Sequence, residues 1–187
     1  IEPFEFDPLS YRDLIKRVVP GEFRGALDIA KSAGISLPMF DALKWLPELR
    51  TYCVNNDAYF LDMWSIVNEY NNLFDFTHKS FIRPTSPFKE FAGNVYTKEQ
   101  FTAEYQWIKQ KNGNLYEMCV VASPTHITAE WRCVFINNEF VSSSQYMQDG
   151  EPYIVQDTPQ KVIDFAKVIA KHDYFTNKFD YVIDIGI

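Results

Sequence analysis

The alternation of apolar and polar side chains is clearest between residues 129 and 146, where it predicts a β-hairpin. Two runs rich in aromatic and branched residues, AEWRCVFI and EFVSSSQY, flank the pair Asn137-Asn138. Such runs favour strands, and two residues that tolerate positive φ suit a two-residue type I′ turn. This turn predicts that Phe135 lies opposite Phe140, and it sets the pairing of the remaining positions.

Side chains alternate across a sheet, so the predicted hairpin has two different faces. The apolar face should pack on a core, and it carries Trp131, Cys133, Phe135 and Phe140. The polar face carries Glu130, Arg132, Ser143 and Gln145. An arginine two residues from a glutamate could grip a charged ligand, but a solvated outer face with a surface ion pair is the commoner fate of such charges. The hairpin alone leaves both interpretations open.

The remaining hydrophobic periodicity predicts helices in the first part of the chain and a mixture of strands and helices after it. A short helix around Leu14 to Val19 is expected to stop at Pro20-Gly21. Further helices are expected over residues 22–33, 57–75 and 97–110, and from Thr158-Pro159 onward. Strands are expected at residues 79–83, 115–122 and 180–185, with a polar loop after the first and an acidic loop over residues 147–157. Asp57 is a plausible cap for the third helix. Thr97 and Gln100 form a capping-box signature at the start of the fourth helix.

This order of elements predicts an α+β fold. Residues 1–76 are expected to form a smaller, mostly helical N-terminal region. Residues 77–187 are expected to form a mainly antiparallel sheet covered by helices.

Composition disfavours several classes of function. The chain has 187 residues and a formal net charge of -7, whereas a general nucleic-acid binder usually carries a basic excess. The three cysteines, Cys53, Cys119 and Cys133, show no CxxC spacing, which favours free thiols in a reducing, cytoplasmic compartment. The three histidines are scattered, which argues against a zinc site. No apolar run is long enough for a membrane helix.

Four charged side chains in the second part of the chain could act together on a phosphate ligand. They are Arg83, Lys89, Arg132 and Asp184. A guanidinium donates two parallel bonds to phosphate, and a carboxylate beside phosphates commonly holds Mg²⁺. Each cation alone could be an ordinary surface charge, but an acid in the apolar strand YVIDIGI is costly unless it is paired or binds metal. No Walker or GxGxxG motif is present, so any nucleotide site is of another kind.

Three stretches of the chain resemble the ATP-grasp superfamily, and in particular its clade named for two arginines and one lysine. They are FIRPTSPFKEFAG at residues 81–93, EWRCVFINNEFVSSSQY and YVIDIGI. The resemblance covers residues 79–187 in the same order and spacing. It implies an ATP-dependent carboxylate–amine ligase of phage or bacterial type, which phosphorylates a carboxylate and lets an amine attack the acyl phosphate. The substrates would be an amino acid or peptide-like molecules.

The resemblance also implies roles for individual residues. Arg83 and Lys89 would contact the phosphates or the adenine of ATP, with Lys89 in a mobile loop. The backbone of Val120 and Val121 would read the adenine edge from a hinge between subdomains.

The resemblance implies three further roles around the hairpin. Arg132 would be the catalytic residue and would bind the transferring phosphate. Glu130 would orient Arg132 or hold a ribose hydroxyl, and Asp184 would be a ligand of Mg²⁺.

The family pattern also has a Glu-x-Asn metal site on the strand after Asp184, and the sequence stops at Ile187 before such a strand. We therefore expect the C-terminal part of the fold to be missing. The alternative is a catalytically inactive nucleotide-binding or protein-interaction module of the same fold. An unrelated α+β interaction module, with surface charges only, is a further alternative.

Overall fold

The computed structural model describes residues 41–69, 79–86, 90–175 and 180–187. These residues divide into two compact units, 41–126 and 127–187. The short helix predicted before Pro20 and the helix predicted over residues 22–33 lie outside the described residues. The predicted domain boundary between residues 76 and 77 stays a prediction.

The first unit contains a four-stranded antiparallel sheet and three α-helices. Its elements are α1 (Ala42–Leu49), β1 (Tyr59–Asp62), α2 (Met63–Asn68), β2 (Ser80–Pro84), β3 (Asn94–Tyr96), α3 (Lys98–Gln110) and β4 (Met118–Ala122). The strand order is β1-β4-β2-β3. The apolar side chains form two clusters, one that includes α2 and α3 residues with Ile82 and Val121, and one that includes α1 residues with Val120. Sheet residues contribute to both clusters, so the sheet is buried on both faces.

The capping box predicted at residue 97 is confirmed. The Thr97 hydroxyl oxygen accepts a hydrogen bond from the Gln100 backbone N–H at 3.3 Å, and the Gln100 side-chain oxygen accepts one from the Thr97 N–H at 2.8 Å. This pair satisfies two of the N–H groups that the first turn of α3 leaves unpaired.

Thr97→Ala is expected to lower the free energy of unfolding by about 1 kcal/mol, because it removes the cap acceptor. The midpoint of urea unfolding measures the effect. Thr97→Asn supplies another side-chain acceptor and should stay near wild type. Equal losses in both variants would contradict the capping explanation.

The long helix predicted over residues 57–75 is wrong in its first part. Residues 59–62 form β1, which pairs antiparallel with β4. The helix α2 begins at Met63, and its cap is Asp62, whose carboxylate accepts a hydrogen bond from the Ser65 N–H at 2.9 Å. Asp57 instead accepts one from the Ser123 N–H at 3.0 Å. A short apolar run satisfies strand and helix periodicity equally well, and pairing with β4 decided the outcome.

Among the described residues, the second unit contains another four-stranded antiparallel sheet and one α-helix. Its elements are β5 (Ala129–Ile136), β6 (Glu139–Gln148), β7 (Glu151–Val155), α4 (Gln160–Ala170) and β8 (Tyr181–Gly186). The strand order is β7-β6-β5-β8, and α4 contacts β5 and β8. The predicted α+β class is therefore confirmed, with two antiparallel sheets in place of one.

Aromatic stacking fills the core of the second unit. The Tyr181 ring is buried between Phe135 and Phe175, with ring centroids 5.2 Å and 4.4 Å away. Cys133 is buried, as predicted, and so is Cys119 in the first unit. Burial, followed by the charge of Asp184, raises the pKa of the Cys133 thiol to about 11. This thiol is therefore protonated at neutral pH.

Two predictions in the second unit are wrong. Residues 147–157 are not an acidic loop, because β6 continues to Gln148 and Asp149-Gly150 turns the chain into β7 with positive φ at both residues. Thr158 does not cap α4: the cap position is Pro159, without a side-chain cap bond. In the first unit, the short strand β3 follows the polar loop expected after residue 84, and it was not predicted. None of the helices in the described ranges is long and apolar enough to cross a membrane.

Candidate functional site

The polar face of the second sheet carries an arginine–aspartate pair on adjacent strands. Arg132 of β5 lies directly opposite Asp184 of β8 in the strand register. Its Nε donates to Oδ1 at 2.9 Å, and its Nη2 donates to Oδ2 at 2.8 Å. This is the bidentate geometry that a planar guanidinium forms with a carboxylate. The two side chains are 33% and 32% exposed, so solvent reaches the pair.

Tyr146 of β6 joins this pair to Glu130. Its hydroxyl donates to the Glu130 Oε2 at 2.6 Å, and its oxygen lies 3.4 Å from the Asp184 Oδ2. The Arg132 Cζ lies 4.8 Å from the centre of the tyrosine ring, a cation–π distance. We call these four residues, Glu130, Arg132, Tyr146 and Asp184, the Arg132 cluster.

The protonation of Tyr146 follows from its surroundings. Burial has the largest effect on its pKa, followed by the charge of Asp184 and the hydrogen bond to Glu130, and all three raise that pKa above the usual tyrosine value. The phenol therefore keeps its proton well beyond neutral pH. It acts as a hydrogen-bond donor to a carboxylate, which is the role that the 2.6 Å contact to Glu130 requires.

The predicted hairpin and its Asn137-Asn138 turn are confirmed, with φ values of 51° and 65° at the two asparagines. The predicted register holds only beside the turn, where Phe135 lies opposite Phe140. Beyond that point the pairing shifts twice.

The two register shifts change which side chains reach the polar face. Arg132 lies opposite Ser144, and Gln145 lies opposite Trp131 on the apolar face. Gln145 is buried there, and its Nε2 donates to the Met147 carbonyl at 3.1 Å. The prediction that Ser143 and Gln145 share the polar face with Arg132 is therefore wrong. Tyr146 was not predicted to lie on the polar face, because the sequence SSSQY does not reveal a shift in strand register.

In the first unit, Arg83 lies on β2 directly opposite Val120 of β4, so the two side chains share a face of that sheet. Its Nε donates to the Pro84 carbonyl at 3.3 Å. A Cβ on Gly93 would lie 2.9 Å from the Arg83 Cβ, so only glycine lets residue 93 approach this stem so closely. Lys89 lies outside the described residues, and its role stays a prediction.

Val120 and Val121 lie in the interior strand of the first sheet. Val120 is opposite Phe60 and Arg83, and Val121 is opposite Tyr59 and Ile82. Because β4 pairs with a strand on each side, the backbone groups of both valines are directed to β1 and β2. Reading an adenine edge with these groups would require part of the ladder to open. Their predicted role stays untested.

Comparison with known proteins decides the family. A sequence model of the ATP-grasp domain, family 2 of the clade named for two arginines and one lysine, matches residues 60–187. The chain belongs to the ATP-grasp superfamily. The resemblance inferred from the sequence is therefore confirmed, and the match begins within β1 of this ATP-grasp chain.

Solved structures share the ATP-grasp fold with this chain. D-alanine–D-alanine ligase from Bacillus anthracis has a TM-score of 0.58 at 11% identity, over 87% of this chain and 60% of that one. D-alanyl-alanine synthetase A from Vibrio cholerae has a TM-score of 0.52 at 13% identity, over 89% and 60%. The chain thus spans about 60% of the length of these ligases. A search of curated proteins found no match.

The Arg132 cluster contains donors that suit the magnesium ion expected in an ATP-grasp site. Glu130 and Asp184 each place a carboxylate oxygen within 3.4 Å of the Tyr146 hydroxyl oxygen. The described residues contain no group of three histidine, cysteine or acidic side chains that could hold a metal. Magnesium, however, is commonly held by one or two carboxylates together with substrate phosphates and water. The two carboxylates therefore fit the kind of donor set that magnesium takes.

Proposed function

We propose that this ATP-grasp chain carries the nucleotide site of an ATP-dependent carboxylate–amine ligase that acts through an acyl phosphate. The observation that carries the proposal is the solvent-accessible fork of Arg132, which already binds two oxygens of one anion, the Asp184 carboxylate. A guanidinium binds phosphate with the same two parallel bonds. The fork is therefore shaped for the transferring phosphate.

The energy of the Arg132–Asp184 pair is compatible with an exchange of partners. Both side chains are about one-third exposed, and ion pairs in such positions contribute about 0–1 kcal/mol. A triphosphate carries more negative charge than a single carboxylate, so it can displace Asp184 from Arg132 at small cost. Arg132 would then offset the charge that develops on the transferring phosphate.

Asp184, released from Arg132, would hold Mg²⁺ together with the nucleotide phosphates, and Glu130 lies close enough to assist. The bound metal would supply charge neutralisation and Lewis-acid polarisation at the phosphates. Arg83, Lys89, Val120 and Val121 remain proposed ATP-binding residues of the first unit.

An amino acid or a peptide-like molecule is the proposed substrate class for both the carboxylate and the amine. The two similar structures are named for enzymes that join D-alanine units, which supports an amino acid or a peptide-like molecule as carboxylate and as amine. ADP release with a panel of amino acids and dipeptides identifies the molecules.

The proposal is tested by calorimetric titration of the full chain with ATP, with and without Mg²⁺, and by ADP release in the presence of a panel of amino acids and dipeptides. We expect ATP to bind more tightly with Mg²⁺ and ADP release to depend on an added carboxylate and amine. Binding without ADP release would favour the inactive nucleotide-binding module. No binding of ATP under either condition would overturn the proposal.

A further inference from the structure

We propose that Tyr146 is the positioning residue of the Arg132 cluster. Tyr146 holds the guanidinium and the Glu130 carboxylate apart, so that the fork of Arg132 points at its anionic ligand. That this ligand is a nucleotide phosphate rests on the proposed function above. The positioning itself is a property of the free protein and can be measured there.

The hydroxyl of Tyr146 controls where Glu130 goes. Glu130 and Arg132 lie two residues apart on β5, so their side chains share a face. An unrestrained Glu130 could therefore compete with Asp184, and later with a phosphate, for the guanidinium. The 2.6 Å bond from the Tyr146 hydroxyl occupies the Glu130 Oε2 and draws this carboxylate toward the tyrosine.

The ring of Tyr146 restrains the guanidinium itself. The Arg132 Cζ lies 4.8 Å from the ring centre, and such a cation–π contact contributes about 0.5–1 kcal/mol at exposed sites. Arginine has several rotatable bonds, and fixing them costs entropy when a ligand binds. A ring that holds the side chain near its binding orientation reduces that cost.

The backbone of β6 gives independent support for this role. Gln145 pairs with Trp131 and Met147 pairs with Glu130, so Tyr146 is the extra residue of a register shift. An extra residue of this kind redirects a side chain and is over-represented beside functional sites. Ser144 lies opposite Arg132, so alternation along β6 places Tyr146 on the face that carries Arg132 and Asp184, and the register shift falls at this residue.

The test measures the solvent exchange of the Arg132 Nε–H by NMR in the full chain without ligand. The signal is identified by its loss in Arg132→Lys. We compare Tyr146→Phe, which keeps the ring, and Tyr146→Leu, which keeps neither ring nor hydroxyl. Tyr153→Phe is the matched control, because Tyr153 lies on the neighbouring strand β7 and is 47% exposed.

Exchange of the Arg132 Nε–H is expected to accelerate by about two- to fivefold in Tyr146→Leu, which corresponds to the loss of the ring contact. Tyr146→Phe should fall between Tyr146→Leu and wild type, and Tyr153→Phe should match wild type. Loss of folding would change the backbone amide signals throughout the chain, whereas the proposed effect is confined to the Arg132 Nε–H. Unchanged exchange in Tyr146→Leu would overturn the proposal, and unchanged exchange in Tyr146→Phe would overturn the part assigned to the hydroxyl.

Titration of the same variants with ATP and Mg²⁺ separates this inference from the proposed function. Affinity should follow the same order as the exchange rates. If the wild-type chain binds no ATP, the proposed function fails, while the exchange rates still decide the role of Tyr146.

Discussion

Arg132→Ala is expected to lower the rate of ADP release by about 10²–10³-fold. It should also lower the affinity for ATP with Mg²⁺. The substitution removes the bidentate donor that the proposed site aims at the phosphate. The free energy of unfolding should change by less than about 1 kcal/mol, because the pair is partly exposed and such pairs add little to stability. Calorimetric titration, an ADP-release assay and urea unfolding on one protein sample measure the three quantities.

Two further variants separate geometry from charge. Arg132→Lys keeps the positive charge but not the planar fork, so it should fall between wild type and Arg132→Ala. Lys161→Ala removes an exposed cation from α4 in the same unit, and it should bind ATP like wild type. If Arg132→Ala and Lys161→Ala reduce binding equally, only the net charge matters and the proposed site is wrong.

The part of the site that could be predicted from sequence is the part set by local chemistry. The Asn137-Asn138 turn and the Thr97 capping box each depend on residues within a few positions of one another, and both are confirmed. Asp184 stood out because a carboxylate in an apolar strand requires a partner, and that partner is Arg132.

The errors arise where the outcome depends on distant strands. The register shift between Val134 and Phe135 puts Tyr146 instead of Gln145 on the polar face. It is a property of how β5 and β6 pair, and the alternation of SSSQY carries no sign of it. Likewise Phe60 and Leu61 were assigned to a helix because their apolar character fits either element, whereas their pairing with Val120 and Cys119 makes them a strand. Pairing over such sequence separations is invisible to a short window.

The stability of the first unit depends on a cluster of three aromatic rings beneath the sheet that carries Arg83. The ring of Phe101 on α3 is fully buried and meets Phe91 and Tyr96 edge to face, at centroid distances of 5.8 Å and 5.4 Å. Tyr96 belongs to β3, which pairs with β2, the strand that carries Arg83. Removal of this ring therefore affects both the helix and the edge of the sheet.

Phe101→Ala is expected to lower the free energy of unfolding by about 3–5 kcal/mol, through the lost burial of the ring and the cavity that remains. Since small domains are stable by only about 5–15 kcal/mol in total, part of the protein should be unfolded at 37 °C. Trp107→Ala on the same helix removes a larger ring, but one that is 47% exposed, so its cost should be well below that of Phe101→Ala. Phe101→Leu leaves a smaller cavity and should lie between the two. Denaturant unfolding monitored by circular dichroism measures the free energy of unfolding of all three variants. If Trp107→Ala and Phe101→Ala lower it equally, burial at Phe101 does not control the stability of this unit.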